Sequence, residues 1–472
     1  MYDSIVYLLY FLIYSVFILI FGKHGFDKTD TLKGYFVANR NLSVVSGFAS
    51  FTATWFSAAS FFGLPALIYA EGFRVVWITT AAWVFGGVVI LLIAQRLNGF
   101  DIITIPEFFY VRYHSRYMQI VVSVILIIVY LLYIVIQFRG FGIVIGAMLD
   151  IPYFLSVLLV YLFVLYTTFG GLYSVARSDI FHFILLLTGA VVGVLLIGKH
   201  TGGLDGMMAE LSHLQSGGIV QEEYTSFFEG VSFWTVLSAF LSLGLGVAVN
   251  PQYGIRILAA KSKQTAFRMV LLSIFFIIII YACIFIIGVG ARTLYPVHIG
   301  NYEEVIPYII THIFDSPWKG FLLISIVAAS ISTANSQLLM IASSLVYDIG
   351  GSKRRNQHPE RTIAISRIVI VLFASLAVLL SYLAPSGLVY FSGQLWGGIA
   401  STMVFPLLGG LFGRGVSKQG ASWSMIAGAL TYVISLAVIP APAQEVFHPV
   451  LPGLFVSGFI YFLHFFKKGA HA

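Results

Sequence analysis

Residues 52–65 read TATWFSAASFFGLP, a hydroxyl-rich run that carries Thr52, Thr54, Ser57 and Ser60 and closes on Gly63-Leu64-Pro65, inside a long apolar segment. A regular membrane helix satisfies every backbone group within itself. A helix interrupted here would release carbonyls and N–H groups that lipid cannot satisfy, so such a break is tolerated only where it faces protein, water or a ligand.

The surroundings are those of a membrane protein. Apolar residues make up 59% of the 472, charged residues only 10%, and the mean hydropathy is +0.95. That composition does not fit a water-soluble core and shell. With about 20 apolar residues needed to cross a bilayer, thirteen spans are expected, near 4–22, 44–70, 74–95, 118–147, 153–170, 178–199, 231–255, 269–291, 318–347, 363–384, 388–412, 421–440 and 450–466. The first begins almost at Met1, with no basic leader and no small-residue cleavage site, and is expected to stay as a span.

Most of the 26 lysines and arginines fall in alternate loops and the C-terminal tail. They include Lys23, Lys28, Lys33 and Arg40; Arg96, Arg112 and Arg116; Arg177; Arg256, Lys261, Lys263 and Arg268; Lys353, Arg354, Arg355, Arg361 and Arg367; Arg414 and Lys418; and Lys467 and Lys468. The positive-inside rule then predicts a multi-pass cell-membrane protein with its N-terminus outside and its C-terminus in the cytoplasm. The net charge of +7 is thus a topological signal. Basic residues scattered over seven short segments do not form a nucleic-acid surface, and no nucleic-acid partner is expected.

Catalytic and redox chemistry find no support. Cys283 is the single cysteine, and the eleven histidines form no helical i, i+4 pair, so neither a disulfide framework nor a transition-metal site is expected. No Walker loop, nucleophile elbow or catalytic triad is present. The protein is therefore read as no enzyme, and anything it moves is driven by a gradient.

A second interrupted helix lies five spans after the first. In LGLGVAVNPQYGIR, Gly244 and Gly246 precede Asn250-Pro251 within an apolar run. A five-helix unit repeated in tandem must cross in the opposite sense the second time, and transporter sites form where the first helix of each copy is broken. The ninth span supplies a third element, with Ser330, Ser332, Thr333, Asn335, Ser336 and Gln337 crowded into one apolar helix. The Ala329 carbonyl one turn back, the Ser332 and Thr333 hydroxyls, and carbonyls freed at Ala53 and Phe56 would make a neutral, hard-oxygen site. Such a site suits Na⁺ better than a divalent ion.

These residues resemble the sodium/solute symporter family over nearly the whole chain. The resemblance is carried by YFVANRNL before the second span, TATWFSAASFFGLP within it, YTTFGGLYSVARSD joining the fifth and sixth, NPQYGIRILAAKS after the seventh and SISTANSQLL in the ninth. The second-span motif is most similar to that of the pantothenate and monocarboxylate branch, T-A-T-Y-x-S-A-S-S-F-x-G-x-P. The resemblance implies an all-α polytopic membrane protein with a 5+5 inverted-repeat core of the leucine-transporter type. Residues 44–412 would form that core, as repeats 44–199 and 231–412, with an extra N-terminal helix and first cytoplasmic loop in 1–43 and two extra helices in 413–472. It also implies Na⁺ as coupling ion on Ala53, Phe56, Ala329, Ser332 and Thr333. Asp179 would serve a second sodium as in some members, the alternative being a first-turn helix acid beside Arg177.

Family comparison narrows the solute. Proline carriers have an aspartate where this chain has Trp55, and sugar carriers use an amide-rich set of which Asn250, Gln252 and Gln394 would be remnants. With Ser57, Ser60 and Gln137 these residues are the expected solute-facing groups. Arg139, in YIVIQFRGFGIV, lies well inside the fourth span, with no acidic residue deep in any other span. A central arginine costs about 2.5–3.5 kcal/mol on insertion scales and is normally paired. A solute carboxylate would supply the partner, since guanidinium binds carboxylate with two parallel hydrogen bonds. The alternative is a structural cap on freed carbonyls. The expected function is sodium-coupled import of a small, carboxylate-bearing solute by alternating access. A neutral-solute or sugar symporter and a substrate-sensing membrane module are the alternatives, and no output domain is expected after the two-lysine tail that ends at Ala472. Oligomeric state is not encoded in any of these features.

Overall fold

Helix Trp318–Ile349 is the one the others surround, because its most apolar stretch is 100% buried while most of the other spans are about half buried or less. Its small residues, from Ala328 through Ser332, let neighbouring backbones approach where lipid offers no hydrophobic drive for helix association. Arg116–Leu149 and Gly171–Thr201 pack against it directly.

The computed structural model describes residues 2–26, 30–296, 301–351, 358–383, 387–413 and 417–469. Lys28, Lys353, Arg354, Arg355 and Arg414, which entered the orientation argument, lie outside them. Among the described residues the secondary structure is helical apart from one isolated bridge between Leu42 and Ala260.

Ten helices are long and apolar enough to span a membrane, or eleven with the bent pair Val44–Trp55 and Ala59–Arg74 counted as one span. The expected thirteen also included 153–170 and 450–466. There the structure has the helices Tyr153–Phe169 and Val450–Gly469, whose apolar stretches Tyr153–Phe169 and Val450–His464 are shorter than the other spans, so the count of thirteen is not reached by length and apolarity alone.

Both predicted interruptions are present. The second span bends by 62°, with Phe56 in an extended conformation at φ −85°, ψ 128°. Ser60 Oγ accepts from the Ser57 N–H at 2.7 Å and Gln137 Oε1 accepts from the Ala58 N–H at 2.9 Å, so side chains replace the lost helical partners. The helix resumes as a wide turn over Ala59–Gly63 and runs on into Leu64–Glu71, with Pro65 where the wide turn gives way to regular helix. In the seventh span Asn250 leaves the helix at ψ 123°, caps the next segment by accepting from the Gln252 N–H, and Pro251 starts Pro251–Ala259. Sequence chemistry explains the second stop, an N-cap followed by a proline, while Ser60 and Gln137 serve the N–H groups freed at the first.

Two close approaches lock these elements. A Cβ on Gly86 would lie 2.5 Å from the Gly244 carbonyl, so the third and seventh spans touch backbone to backbone. Gly171 has φ +67° and a Cβ there would meet the Tyr35 carbonyl at 2.5 Å, so the turn between the fifth and sixth spans requires glycine on both counts.

Candidate functional site

The break in the second span and the hydroxyls of Trp318–Ala342 meet at one point. Ser332 Oγ donates to the Ala53 carbonyl at 2.9 Å and to the Ala329 carbonyl at 2.8 Å. Thr333 Oγ1 lies 3.0 Å from the Phe56 carbonyl, 3.2 Å from that of Ala329 and 3.4 Å from that of Thr54. All five predicted oxygen donors are therefore together, and every residue is buried. The geometry has a plain origin. Ending the helix at Trp55 leaves its last carbonyls without partners, and residues 329, 332 and 333 share one face of the opposing helix. A hydroxyl can turn its proton aside and present a lone pair, so the donor set fits a monovalent cation with neutral, hard ligands.

Asp179 lies elsewhere in the network. Its Oδ2 is 3.0 Å from Arg256 Nη2 and 2.6 Å from Ser50 Oγ. Arg256 is fully buried, which corrects its placement in a cytoplasmic loop. It also donates to the Ser50 carbonyl and hydroxyl, the Gln252 carbonyl at 2.9 Å and Ser336 Oγ at 2.7 Å. Ser336 in turn donates to the Ser332 carbonyl at 2.8 Å, so this guanidinium is two hydrogen bonds from the oxygen cluster. The signal for it was available: Pro251 starts a helix, and Gln252 and Arg256, four residues apart, share its inward face.

The remaining solute-facing residues divide. Gln252 Nε2 donates to the Thr54 carbonyl and hydroxyl and its Oε1 accepts from Gln337. Asn250 accepts from Tyr130 Oη at 2.6 Å. Trp55 donates to Tyr281 Oη at 2.9 Å and its ring lies 4.9 Å from that of Tyr253. Ser57 pairs with Tyr133 Oη at 2.9 Å, and the Tyr133 ring lies 4.4 Å from Trp396. With Ser60 and Gln137 these form one cluster at the two breaks, lined by aromatics and uncharged amides. Tyr133, Tyr281 and Trp396 were not foreseen, since a lone aromatic in an apolar span carries no distinguishing pattern.

Gln394 is not part of that cluster. It donates to Gln444 at 3.1 Å, beside a cavity of about 210 Å³ lined by Glu71, Tyr390, Gly393, Gln444 and His448. Arg139 is also engaged elsewhere. Its Nη2 lies 3.8 Å from Oε2 of Glu303, which is 1% exposed. Glu303 Oε1 accepts from the Gly387 and Leu388 N–H groups at 3.0 and 2.9 Å, capping Leu388–Phe412. The premise that the protein offers Arg139 no buried acidic partner is thus corrected. Glu303 sits in a short connecting helix outside any span, so a search of the spans alone passes over it.

The sequence model of the sodium:solute symporter family matches residues 35–428. Sodium/proline symporters from Staphylococcus aureus strains are 25% identical over 465 residues, covering 94% of this chain and 89% of theirs. Among solved structures, a Na⁺-coupled sialic acid symporter in a substrate-bound outward-open state superposes with a TM-score of 0.79 at 18% identity, covering 97% of this chain and 96% of that one. A nucleobase-cation-symport-1 family transporter in a closed conformation gives 0.60 at 14% identity, covering 90% and 93%.

Proposed function

The chain belongs to the sodium:solute symporter family and is a sodium-coupled transporter of an organic solute rather than an enzyme, and from that premise we propose how its own residues divide the work. One Na⁺ binds the Ala53, Phe56 and Ala329 carbonyls with the Ser332 and Thr333 hydroxyls. The observation that carries this is the meeting of those two hydroxyls with the carbonyls that the broken helix releases, at 2.8–3.2 Å. The solute sits against the same break, between Trp55, Ser57 and Ser60 on one side and Tyr133 and Gln137 on the other, below Trp396. Sodium and solute then share one helix interruption. Filling the sodium site orders the backbone that the solute needs, which couples the two binding events.

Asp179 does not serve a second sodium in this reading, because Arg256 already supplies its positive partner. In the same reading the inverted repeats run over 44–199 and 231–412, and the N-terminus lies outside and the C-terminus in the cytoplasm, an orientation supported by the loop charges.

The solute is a small carboxylate-bearing molecule. Proline and sialic acid, named for the relatives, are both carboxylic acids. A neutral solute is the second reading, favoured by the uncharged side chains at the break and by the Glu303 partner of Arg139. Uptake into proteoliposomes under an inward Na⁺ gradient, against K⁺ as control, tests both. Carboxylates should accumulate while their amides do not. Accumulation of amide and acid alike would select the neutral reading, and uptake indifferent to Na⁺ would overturn the sodium site.

A further inference from the structure

A backbone conformation that side chains rarely adopt precedes the second span. Ala38, Asn39 and Arg40 follow one another with φ of 48°, 51° and 53°. L-residues visit this left-handed region singly and at a cost, so a run of non-glycine residues there persists only where the surroundings hold it. Several anchors do so. The Arg40 guanidinium donates to the Phe100 carbonyl at 2.9 Å and to the Asn98 carbonyl. The Leu42 N–H donates to the Ala259 carbonyl at 2.9 Å, and the Leu42 carbonyl accepts from the Lys261 N–H at 3.2 Å, which makes the bridge to Ala260. Asn98, itself buried, donates from Nδ2 to the Ile257 and Ala260 carbonyls at 2.8 and 3.1 Å.

These contacts clasp the far ends of both broken helices. Val44–Trp55 follows directly on Leu42 and its cap Ser43, and it ends at the break that supplies the Ala53 carbonyl. Pro251–Ala259 starts at the other break, and its last residue accepts from Leu42. Each half-helix can pivot at its break, where the hydrogen-bond ladder is interrupted, so the opposite end decides whether it moves. Ser336 lies between the two, with Oγ 3.0 Å from Thr54 Oγ1 on one and 2.7 Å from Arg256 Nη2 on the other. The sodium and solute residues at the breaks are buried, so neither ion nor solute leaves until the elements around them separate.

We propose that residues 38–42 form a strained latch that holds these two half-helices together at the cytoplasmic end, and that its release opens the way out for sodium and solute. Freeing Arg40 and Leu42 lets the left-handed turn relax, which offsets part of the cost of breaking the bridge. Asn98 is a positioning residue that keeps the Ala260 carbonyl and its neighbours aligned with Leu42. The latch rests on the reading that the solute sits at the breaks and takes its sidedness from the loop charges.

The test places Ser336→Cys in full-length Cys283→Ala protein. Its labelling rate by a membrane-impermeant thiosulfonate is measured in inside-out and right-side-out vesicles, in K⁺ without Na⁺ or solute. Asn39 is exposed and its side chain meets Thr31 Oγ1 at 3.3 Å. Asn39→Gly and Asn39→Val lose that contact alike and differ in their tolerance of positive φ. At the cytoplasmic face Asn39→Val should label at least about fivefold faster than Asn39→Gly, with the parent between them. Asn39→Gly against the parent keeps the test decisive if Asn39→Val does not fold. Asn98→Ala should also label faster than the parent, because two carbonyls of the latch lose their donor. Equal rates in Asn39→Gly, Asn39→Val and the parent at both faces, or an unchanged rate in Asn98→Ala, overturn the latch. The same graded order seen only from the outer face keeps the latch and overturns the orientation. Because sodium and solute are absent throughout, failure of either site cannot produce equal rates.

Discussion

Arg256 Nη2 lies 3.0 Å from Asp179 Oδ2 and neither side chain is exposed at all, so the seventh and sixth spans are joined by a fully buried ion pair beside the oxygen cluster. Breaking such a pair from one side leaves a buried charge uncompensated, at a cost of about 3–5 kcal/mol. Arg256→Gln should therefore lower thermal stability strongly, and the double change Arg256→Gln with Asp179→Asn should recover much of it. Sodium activation of the wild type should follow a Hill slope near one. A slope approaching two, lost in Asp179→Asn, would restore Asp179 as a second sodium ligand.

Ser332→Ala with Thr333→Ala removes both side-chain oxygens of the cluster while leaving the carbonyls of Ala53, Phe56 and Ala329. Sodium activation of uptake should weaken at least about tenfold, roughly 1.4 kcal/mol. Ser336→Ala is the matched control: its hydroxyl touches Arg256 and Thr54 but no carbonyl freed by the break. The measurement is the sodium concentration at half-maximal uptake, and unchanged sodium dependence in the double variant would remove the assignment.

Orientation can be read with single cysteines in a Cys283→Ala background. Lys261 and Ser216 are both exposed. Lys261→Cys should react with a membrane-impermeant maleimide only from the cytoplasmic face and Ser216→Cys only from outside. Labelling of both from one side would remove the crossing pattern on which the inverted repeat depends.

The two broken helices were legible because the chemistry of a break is local: Ser57-x-x-Ser60 before Pro65, and Asn250 before Pro251, mark the stops within a few residues. The sodium cluster was legible for a related reason. One helical face carries Ala329, Ser332 and Thr333, and the break fixes which carbonyls oppose them. Arg256 and Glu303 were misread or missed because their environment is tertiary. One lies just past the expected end of the seventh span, where the positive-inside rule expects solvent, and the other in a connecting helix that folds back to within 3.8 Å of Arg139. Local sequence does not encode what comes to lie against a loop.

Arg139 and Glu303 separate the two readings of the solute. Glu303 binds the first N–H groups of Leu388–Phe412 through Oε1 and approaches Arg139 through Oε2, so it ties the fourth span to the start of the eleventh. If the pair only closes this end of the protein, Arg139→Gln and Glu303→Gln should act alike, each changing the rate of uptake and the affinity for acids and amides by the same factor. If a solute carboxylate displaces Glu303 from the guanidinium, the two variants should diverge. Arg139→Gln would then lose affinity for the acid by about 2–5 kcal/mol, as truncating one side of a buried charge pair does, with the amide unaffected. Glu303→Gln would bind the acid more tightly than wild type, because the competing carboxylate is gone. Equilibrium binding of a matched acid and amide to both variants, at saturating Na⁺, gives the four affinities. Parallel losses in both variants exclude a carboxylate contact at Arg139 and leave the uncharged cluster around Trp55, Tyr133 and Gln137 as the whole of the solute site.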